Sequence, residues 1–322
     1  MDRNLALNLV RVTETAALRA AKFMGRGDKN AADQAGVDGM RRMFDTIDIE
    51  GVVVIGEGEM DEAPMLYIGE VLGKCGPNAP KVDIAVDPVE GTISVANGMP
   101  NAISVIAMAP RGTMLNAPDM YMDKIAVGPK AAPYIHLEAP VADNLKATAG
   151  ALGKSIQDLT VAILNRDRHA GIIEECREAG ARIQLFENGD VDAALATCVE
   201  ETGVDMLLGI GGAPEGVIAA AAIKCMGGNF QGQLVPFEEE EELRCKKMGI
   251  DITKILTLDD LVRGPEAYFA ATGISDGALL KGVNFTGNGM GKTHSVVMRS
   301  ESGTIRFVEA VHNFNKKPLY AF

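Results

Sequence analysis

Apolar and polar positions along this chain repeat with two different periods. Between residues 3 and 23 the spacing is helical: Leu5, Leu9, Val12, Ala16 and Phe23 fall near one face, which predicts an amphipathic helix. Gly25-Arg26-Gly27-Asp28-Lys29-Asn30 breaks that pattern, and a second helix is predicted from about Asn30, carrying Val37, Met40 and Phe44. Val52 to Ile55 is a short continuous apolar run, the pattern of a strand buried on both faces. From Lys81 the period becomes two, with Val82, Ile84 and Val86 on one face and Asp83, Ala85 and Asp87 on the other. Pro88 has no N–H to give to a ladder, so the strand is expected to stop there with Asp87 at its mouth. Residues 101 to 130 read as strand, a Pro110-Arg111-Gly112 turn, and strand.

The second half alternates regularly. Strands are predicted at 159–164, 181–186 and 204–210, and helices at 169–179, 190–198 and 215–226. Such βα units build a parallel sheet with right-handed crossovers. Their strands end at Arg166-Asp167-Arg168, at Asn188-Gly189-Asp190 and at Gly211-Gly212-Ala213-Pro214-Glu215, on the sheet edge where open α/β folds hold ligands. The Ala-, Pro- and Gly-rich stretch at 130–150 suggests two domains, 1–150 and 151–322. Five consecutive acids, Glu238 to Glu242, read as a solvated face or loop. Strands near 268–271, 295–299 and 304–311 complete a sheet that the pattern does not identify. The fold class is α/β.

Charge sharpens the picture. The 322 residues carry a net charge of −13, which argues against nucleic acid or an anionic membrane as partner. It also opposes a phosphate substrate, unless bound divalent cations reverse the local field. Five cysteines, an odd number without a C-x-x-C pair, fit reduced thiols in a cytoplasm. Charged positions within the first residues argue against a signal peptide, and no apolar run reaches the ~20 residues of a membrane helix.

The candidate chemistry centres on Lys81 to Thr92, KVDIAVDPVEGT. Asp87 ends the strand, Glu90 follows on the turn, Gly91 permits a left-handed step, and Thr92 opens the next element. Carboxylate oxygens are what Mg²⁺ and Mn²⁺ select, and a Gly-Thr turn into a helix offers backbone N–H groups to an anion. Glu57, between Gly56 and Gly58 and followed by Glu59, Asp61 and Glu62, reads either as a solvated loop or as a second ligand loop. Asp33 and Glu215 both fall in predicted first turns, where the helix dipole alone accounts for an acid. Arg166 and Arg168 are either phosphate forks or a solvated pair, and Asn188 and Asp190 either cap a helix or meet sugar hydroxyls. Tyr121 reads as a half-buried ring or a phosphate donor. Gly209 to Pro214 imitates a dinucleotide fingerprint, but Pro214 stands where the third glycine belongs. Gly287 to Thr293 imitates a P-loop without its first glycine.

Asp87-Pro-Val-Glu-Gly-Thr92 resembles the motif of the lithium-sensitive, metal-dependent sugar and inositol phosphatases. With Gly25 to Asp33, Val54 to Tyr67, Leu115 to Met122 and Gly209 to Gly216, in that order, the chain is similar to class II fructose-1,6-bisphosphatases. The resemblance implies a layered α-β-α-β-α fold, a metal-binding catalytic domain and a sugar-phosphate-binding domain. It implies Mn²⁺ or Mg²⁺ as cofactor, with Asp33 and Glu57 on one ion and Asp87, Glu90 and Glu215 on another. Thr92 would orient the attacking water, with Lys29 and Asp61 assisting. Substrate contacts would fall on Glu90, Gly91, Thr92, Tyr121, Arg166, Asp167, Arg168, Asn188, Gly189, Asp190 and Gly212. Arg166-Asp167 and Asn188 depart from the family's usual Lys-Pro and Asp. The expected activity is gluconeogenic hydrolysis of fructose 1,6-bisphosphate by a cytoplasmic homo-oligomer, a dimer or tetramer. The rivals are a phosphatase of sedoheptulose 1,7-bisphosphate or an inositol phosphate, and a non-catalytic metabolite-binding protein.

Overall fold

The computed structural model of the chain describes residues 5–58 and 63–317. The first elements are α1 (Leu5–Ala20), α2 (Lys29–Phe44), β1 (Glu50–Ile55), β2 (Val71–Leu72), β3 (Lys81–Glu90), α3 (Thr92–Asn97) and β4 (Ile103–Pro110). There follow β5 (Tyr121–Val127), α4 (Val141–Leu152), β6 (Thr160–Leu164), α5 (Ala170–Glu178), β7 (Arg182–Phe186), α6 (Asp190–Ala196), β8 (Met206–Gly212) and α7 (Ala213–Met226). The chain ends with β9 (Asn229–Val235), α8 (Glu239–Met248), β10 (Leu256–Thr257), α9 (Leu258–Leu261), β11 (Tyr268–Gly273), β12 (Asn284–Gly287), β13 (Met290–Arg299) and β14 (Thr304–Asn313). It is a mixed α/β protein. No helix among the described residues is long and apolar enough to cross a membrane, and none of the five cysteines is in a disulfide.

The chain forms two compact units, Met1–Met114 with Pro265–Phe322, and Leu115–Gly264. The boundary expected near 150 therefore falls inside the second unit, just before the end of α4. The reason is pairing. β5 joins β8 and β9 in the second sheet, not β4, and the closing strands β11 to β14 return to the first.

In the first unit the sheet order is β12-β13-β11-β4-β3-β1-β2, with β14 also paired to β13. β1 and β3 are parallel, whereas the β3–β4, β4–β11 and β11–β13 pairs are antiparallel. Leu5, Leu9, Val12 and Ala16 of α1 and Val37, Met40 and Phe44 of α2 pack on Val82, Ile84 and Val86 of β3 and on Ile106, Met108 and Tyr268 beyond it. Contrary to expectation, β3 does not stop at Pro88. It runs on to Glu90 with a register shift against β4 between Asp87 and Glu90. The bulge absorbs the missing proline N–H, and the Asp87 carboxylate accepts from the Val89 N–H at 2.9 Å. α1 also buries Thr13 and Glu14, which the one-faced helix reading did not foresee. Thr13 bonds Thr272 at 2.7 Å, and Glu14 accepts from Thr293 at 3.0 Å, so hydroxyls of β11 and β13 satisfy both.

In the second unit the order is β10-β9-β5-β8-β6-β7. β6 is parallel to β7 and β8, as predicted, and β5 is antiparallel to both of its neighbours. Ile125, Val127, Val161, Ile163, Met206 and Leu208 form a core with Leu145 and Ala149 of α4 and Cys176 of α5. The opposite face of β5 meets α7, where Gly216 lies so close that a Cβ would stand 2.8 Å from the Met122 sulfur. Glu239 to Glu242 form the first turn of α8, not a loop. A capping box between Glu238 and Glu241 starts that helix, and its N-terminal dipole favours the acids.

Candidate active site

In the first unit three segments carry the predicted acids. Asp33 lies beyond the first turn of α2, because the helix begins at Lys29 with Asp28 as its cap, accepting from the Ala31 N–H at 2.9 Å. The dipole account of Asp33 is thereby corrected. One turn further on, Gly36 seats α2 directly on the end of β3: a Cβ there would lie 2.5 Å from Val89 and 3.3 Å from Pro88. Lys29 is the first residue of α2 and is exposed.

Glu57 leaves β1 on a segment pinned at both ends. Its N–H bonds the Leu66 carbonyl at 3.0 Å, and the Ile68 N–H bonds the Gly58 carbonyl at 2.9 Å. Gly56 permits this closeness, since a Cβ there would stand 1.9 Å from the Leu66 oxygen. Arg41 of α2 binds Glu70, whose other oxygen takes the Leu66 N–H, so the segment is tied back to the helix that carries Asp33. This brings the carboxyl groups of Asp33 and Glu57 close enough to share a proton. Burial, then the charge of Asp33 and the bond to it, push Glu57 up to about 8, while burial raises Asp33. Two acids in contact require either a shared proton or a cation. Asp61 lies outside the described residues.

Asp87 and Glu90 stand on either side of the bulge of β3, each with a carboxylate oxygen within 4.8 Å of the other's. Glu90 is 5% exposed. Gly91 takes the expected left-handed conformation, φ 93°, and Thr92 begins α3. The Gly25–Asp28 turn is hung on α3 by bonds of 2.8 Å from the Gly25 and Gly27 N–H groups to the Val95 and Ala96 carbonyls. Four acids, Asp33 on α2, Glu57 just past β1 and Asp87 and Glu90 at the end of β3, are a donor set suited to a hard divalent cation.

In the second unit the three strand-end loops do meet along one edge. Arg166 donates to the carbonyls of Asn165 and Glu187 at 2.7 Å each, so its fork ties the loop after β6 to the loop after β7. Arg168 donates to the Ile210 carbonyl at 3.2 and 2.8 Å and lies over the Tyr121 ring, 4.7 Å from its centroid. Asp167 is exposed, and Asn188 and Gly189 are half-buried. Gly189, at φ 87°, turns the chain into α6, so that Asp190 is its first residue. Tyr121 opens β5 opposite Gly212 and Val235.

The glycines after β8 make room for charge, not for a dinucleotide. A Cβ at Gly211 would lie 2.2 Å from the Asp190 carboxylate and 3.0 Å from the Lys124 ammonium. A Cβ at Gly212 would lie 1.9 Å from the Glu215 carboxylate. Lys124 binds Asp190 and is 2% exposed. Sequence reasoning missed it, although one lysine on the face of β5 shared by Met122 and Ala126 was the available signal. His169 was also passed over. Its Nε2 accepts from the Ile210 N–H at 2.8 Å, which leaves Nδ1 to donate to the Leu164 carbonyl at 2.6 Å, joining β6 to β8.

Comparison with known proteins identifies the family. Residues 3–312 match the family described as bacterial fructose-1,6-bisphosphatase, glpX-encoded. The chain is 47% identical over 330 residues to fructose-1,6-bisphosphatase 1 class 2 of Escherichia coli K12, covering 98% of this chain and 97% of that one. The same figures hold for the class 2 enzyme of Shigella flexneri. Among solved structures, the extragenic suppressor protein suhB of Bartonella henselae aligns at TM-score 0.36 and 11% identity over 61% of this chain and 74% of that one, too distant to carry an argument. The family match and the high identity over nearly the whole length place the chain in the glpX-encoded, class II fructose-1,6-bisphosphatase family.

Proposed function

We propose that the chain hydrolyses the 1-phosphate of fructose 1,6-bisphosphate, giving fructose 6-phosphate and phosphate. The observation that carries this reading is the 47% identity to class 2 enzymes along 98% of the chain. The carboxylates of Asp33, Glu57, Asp87 and Glu90 support it. Asp33 and Glu57 would hold one divalent cation, Mn²⁺ or Mg²⁺, and Asp87, Glu90 and Glu215 a second. When bound, such ions lower the pKa of a coordinated water and offset phosphoryl charge. Thr92 aligns the water, with Lys29 and Asp61 assisting. As the opening residues of α3, Gly91 and Thr92 have N–H groups without an intrahelical acceptor, suited to phosphoryl oxygens. Tyr121, Arg166 to Arg168, Asn188 to Asp190 and Gly212 hold the sugar and its remote phosphate, whose binding energy orients the reacting one.

The layered α-β-α-β-α arrangement, a cytoplasmic location and assembly as a dimer or tetramer belong to the same reading. Side-by-side phosphate release from fructose 1,6-bisphosphate, sedoheptulose 1,7-bisphosphate and an inositol monophosphate tests it. Fructose 1,6-bisphosphate is expected to be hydrolysed with the highest kcat/KM, and a preference for either competitor would displace the assignment. Gly212→Ala provides a second check. The added methyl displaces the Glu215 carboxylate from a position 1.9 Å away. Turnover is expected to fall about 100-fold, the scale of an ångström's misplacement, with little change in the unfolding midpoint.

A further inference from the structure

We propose that Phe237 is a substrate-positioning residue that acts through Tyr121, an inference resting on the assignment of Tyr121 and Arg168 to the sugar-phosphate subsite. Phe237 is 58% exposed, unusual for a large apolar ring, and no predicted motif includes it. It follows β9 in the two-residue link to the cap of α8. The Tyr121 and Phe237 centroids are 5.1 Å apart with their planes at 85°, an edge-to-face pair. The guanidinium of Arg168 also lies over the Tyr121 ring, 4.7 Å from its centroid. Gly212, Tyr121's partner on β8, offers no side chain to hold the ring. Val235, its partner on β9, is aliphatic, so the contacts specific to the ring are one cation and one aromatic neighbour.

Helix geometry does not otherwise account for Phe237. An apolar residue just before a helix cap ordinarily packs on the fourth helical residue as a staple. Here that residue is Glu242, since the third is Glu241 of the capping box. The backbone is nonetheless fixed, because the Phe237 N–H donates to the Glu241 carboxylate at 2.7 Å. A rigid backbone thus presents an exposed ring whose packing partner is Tyr121. Its removal leaves Tyr121 free to rotate away from Arg168, which weakens a remote-phosphate contact without touching the reacting bond.

The test is steady-state kinetics of the full-length protein with fructose 1,6-bisphosphate and, as a substrate without a remote phosphate, p-nitrophenyl phosphate. Phe237→Ala is expected to raise KM for the bisphosphate about 3- to 10-fold, the scale of one aromatic pair. Its kcat should hold, and its KM for p-nitrophenyl phosphate should not move. Phe237→Tyr should restore the bisphosphate KM. Leu243→Ala, 51% exposed on the neighbouring helix, should leave both constants at the parent values. If Tyr121→Ala raises the bisphosphate KM and Phe237→Ala does not, the proposal is overturned and the subsite stands. If neither variant raises it, the subsite assignment falls as well. Equal rises for both substrates would also overturn the proposal, because a loss of general structure does not distinguish them.

Discussion

Lys124→Met is expected to destabilise the protein by about 3 kcal/mol, the low end of the cost of removing one partner from a buried ion pair. The lysine is 2% exposed and Asp190 14%, so the carboxylate left behind is shielded from water without a cation. The low end applies because Asp190 keeps that partial access. Gly211 allows the pair to close up, and no side chain there can move in to replace the ammonium. Replacing both partners, as Lys124→Met with Asp190→Leu, should recover most of the loss, since a buried pair gains little over well-packed apolar groups. Urea unfolding of the three proteins measures both effects. A single variant as stable as the parent would show that the pair is not shielded as described.

Thr92→Ala should do the opposite, removing activity and sparing the fold. The hydroxyl makes no hydrogen bond to the described residues, and alanine is the better helix former at the start of α3. If the hydroxyl orients and helps deprotonate the attacking water, its loss should lower kcat about 100-fold or more, the range of a positioned proton-transfer group. KM should change little, because the group acts on the water and not on the sugar. Paired measurement of kcat and the thermal midpoint decides it. Near-parent turnover in Thr92→Ala would remove the residue from the mechanism.

The parts of this fold that were legible in the sequence are those set by local periodicity. The βα alternation from 159 to 226, the strand at Lys81 and the left-handed step at Gly91 each follow from residues within one element of their effect. The failures share a different cause. Whether β5 pairs with β4 or with β8 depends on contacts far apart in the chain, and no local pattern encodes it. Pro88 was read as a terminator because its missing N–H is a local fact. The bulge that tolerates it is a property of two strands. Five glutamates read as a solvated face or loop, and which of the two was not legible, because charge is visible in sequence and the Glu238–Glu241 capping geometry that makes it a helix face is not.

The site divides along the same line. The acids of the Asp87-to-Thr92 segment could be singled out from their spacing and from the resemblance of that motif, because strand end and helix start lie within twelve residues. Asp33 had a sufficient bland explanation until its helix was seen to begin earlier, leaving it in contact with Glu57. Lys124 and Phe237 have no motif. Their roles arise from partners 66 and 116 positions away in sequence, Asp190 and Tyr121.

If the proposed function holds, these carboxylates serve the reaction by holding divalent cations. Phosphate release from fructose 1,6-bisphosphate, followed first with chelator-stripped protein and then as Mn²⁺ or Mg²⁺ is restored, tests it most directly. The stripped protein should be silent and should recover with added cation, and the recovery should be lost in Asp87→Asn. Release that survives complete chelation, or that no cation elicits, would contradict it.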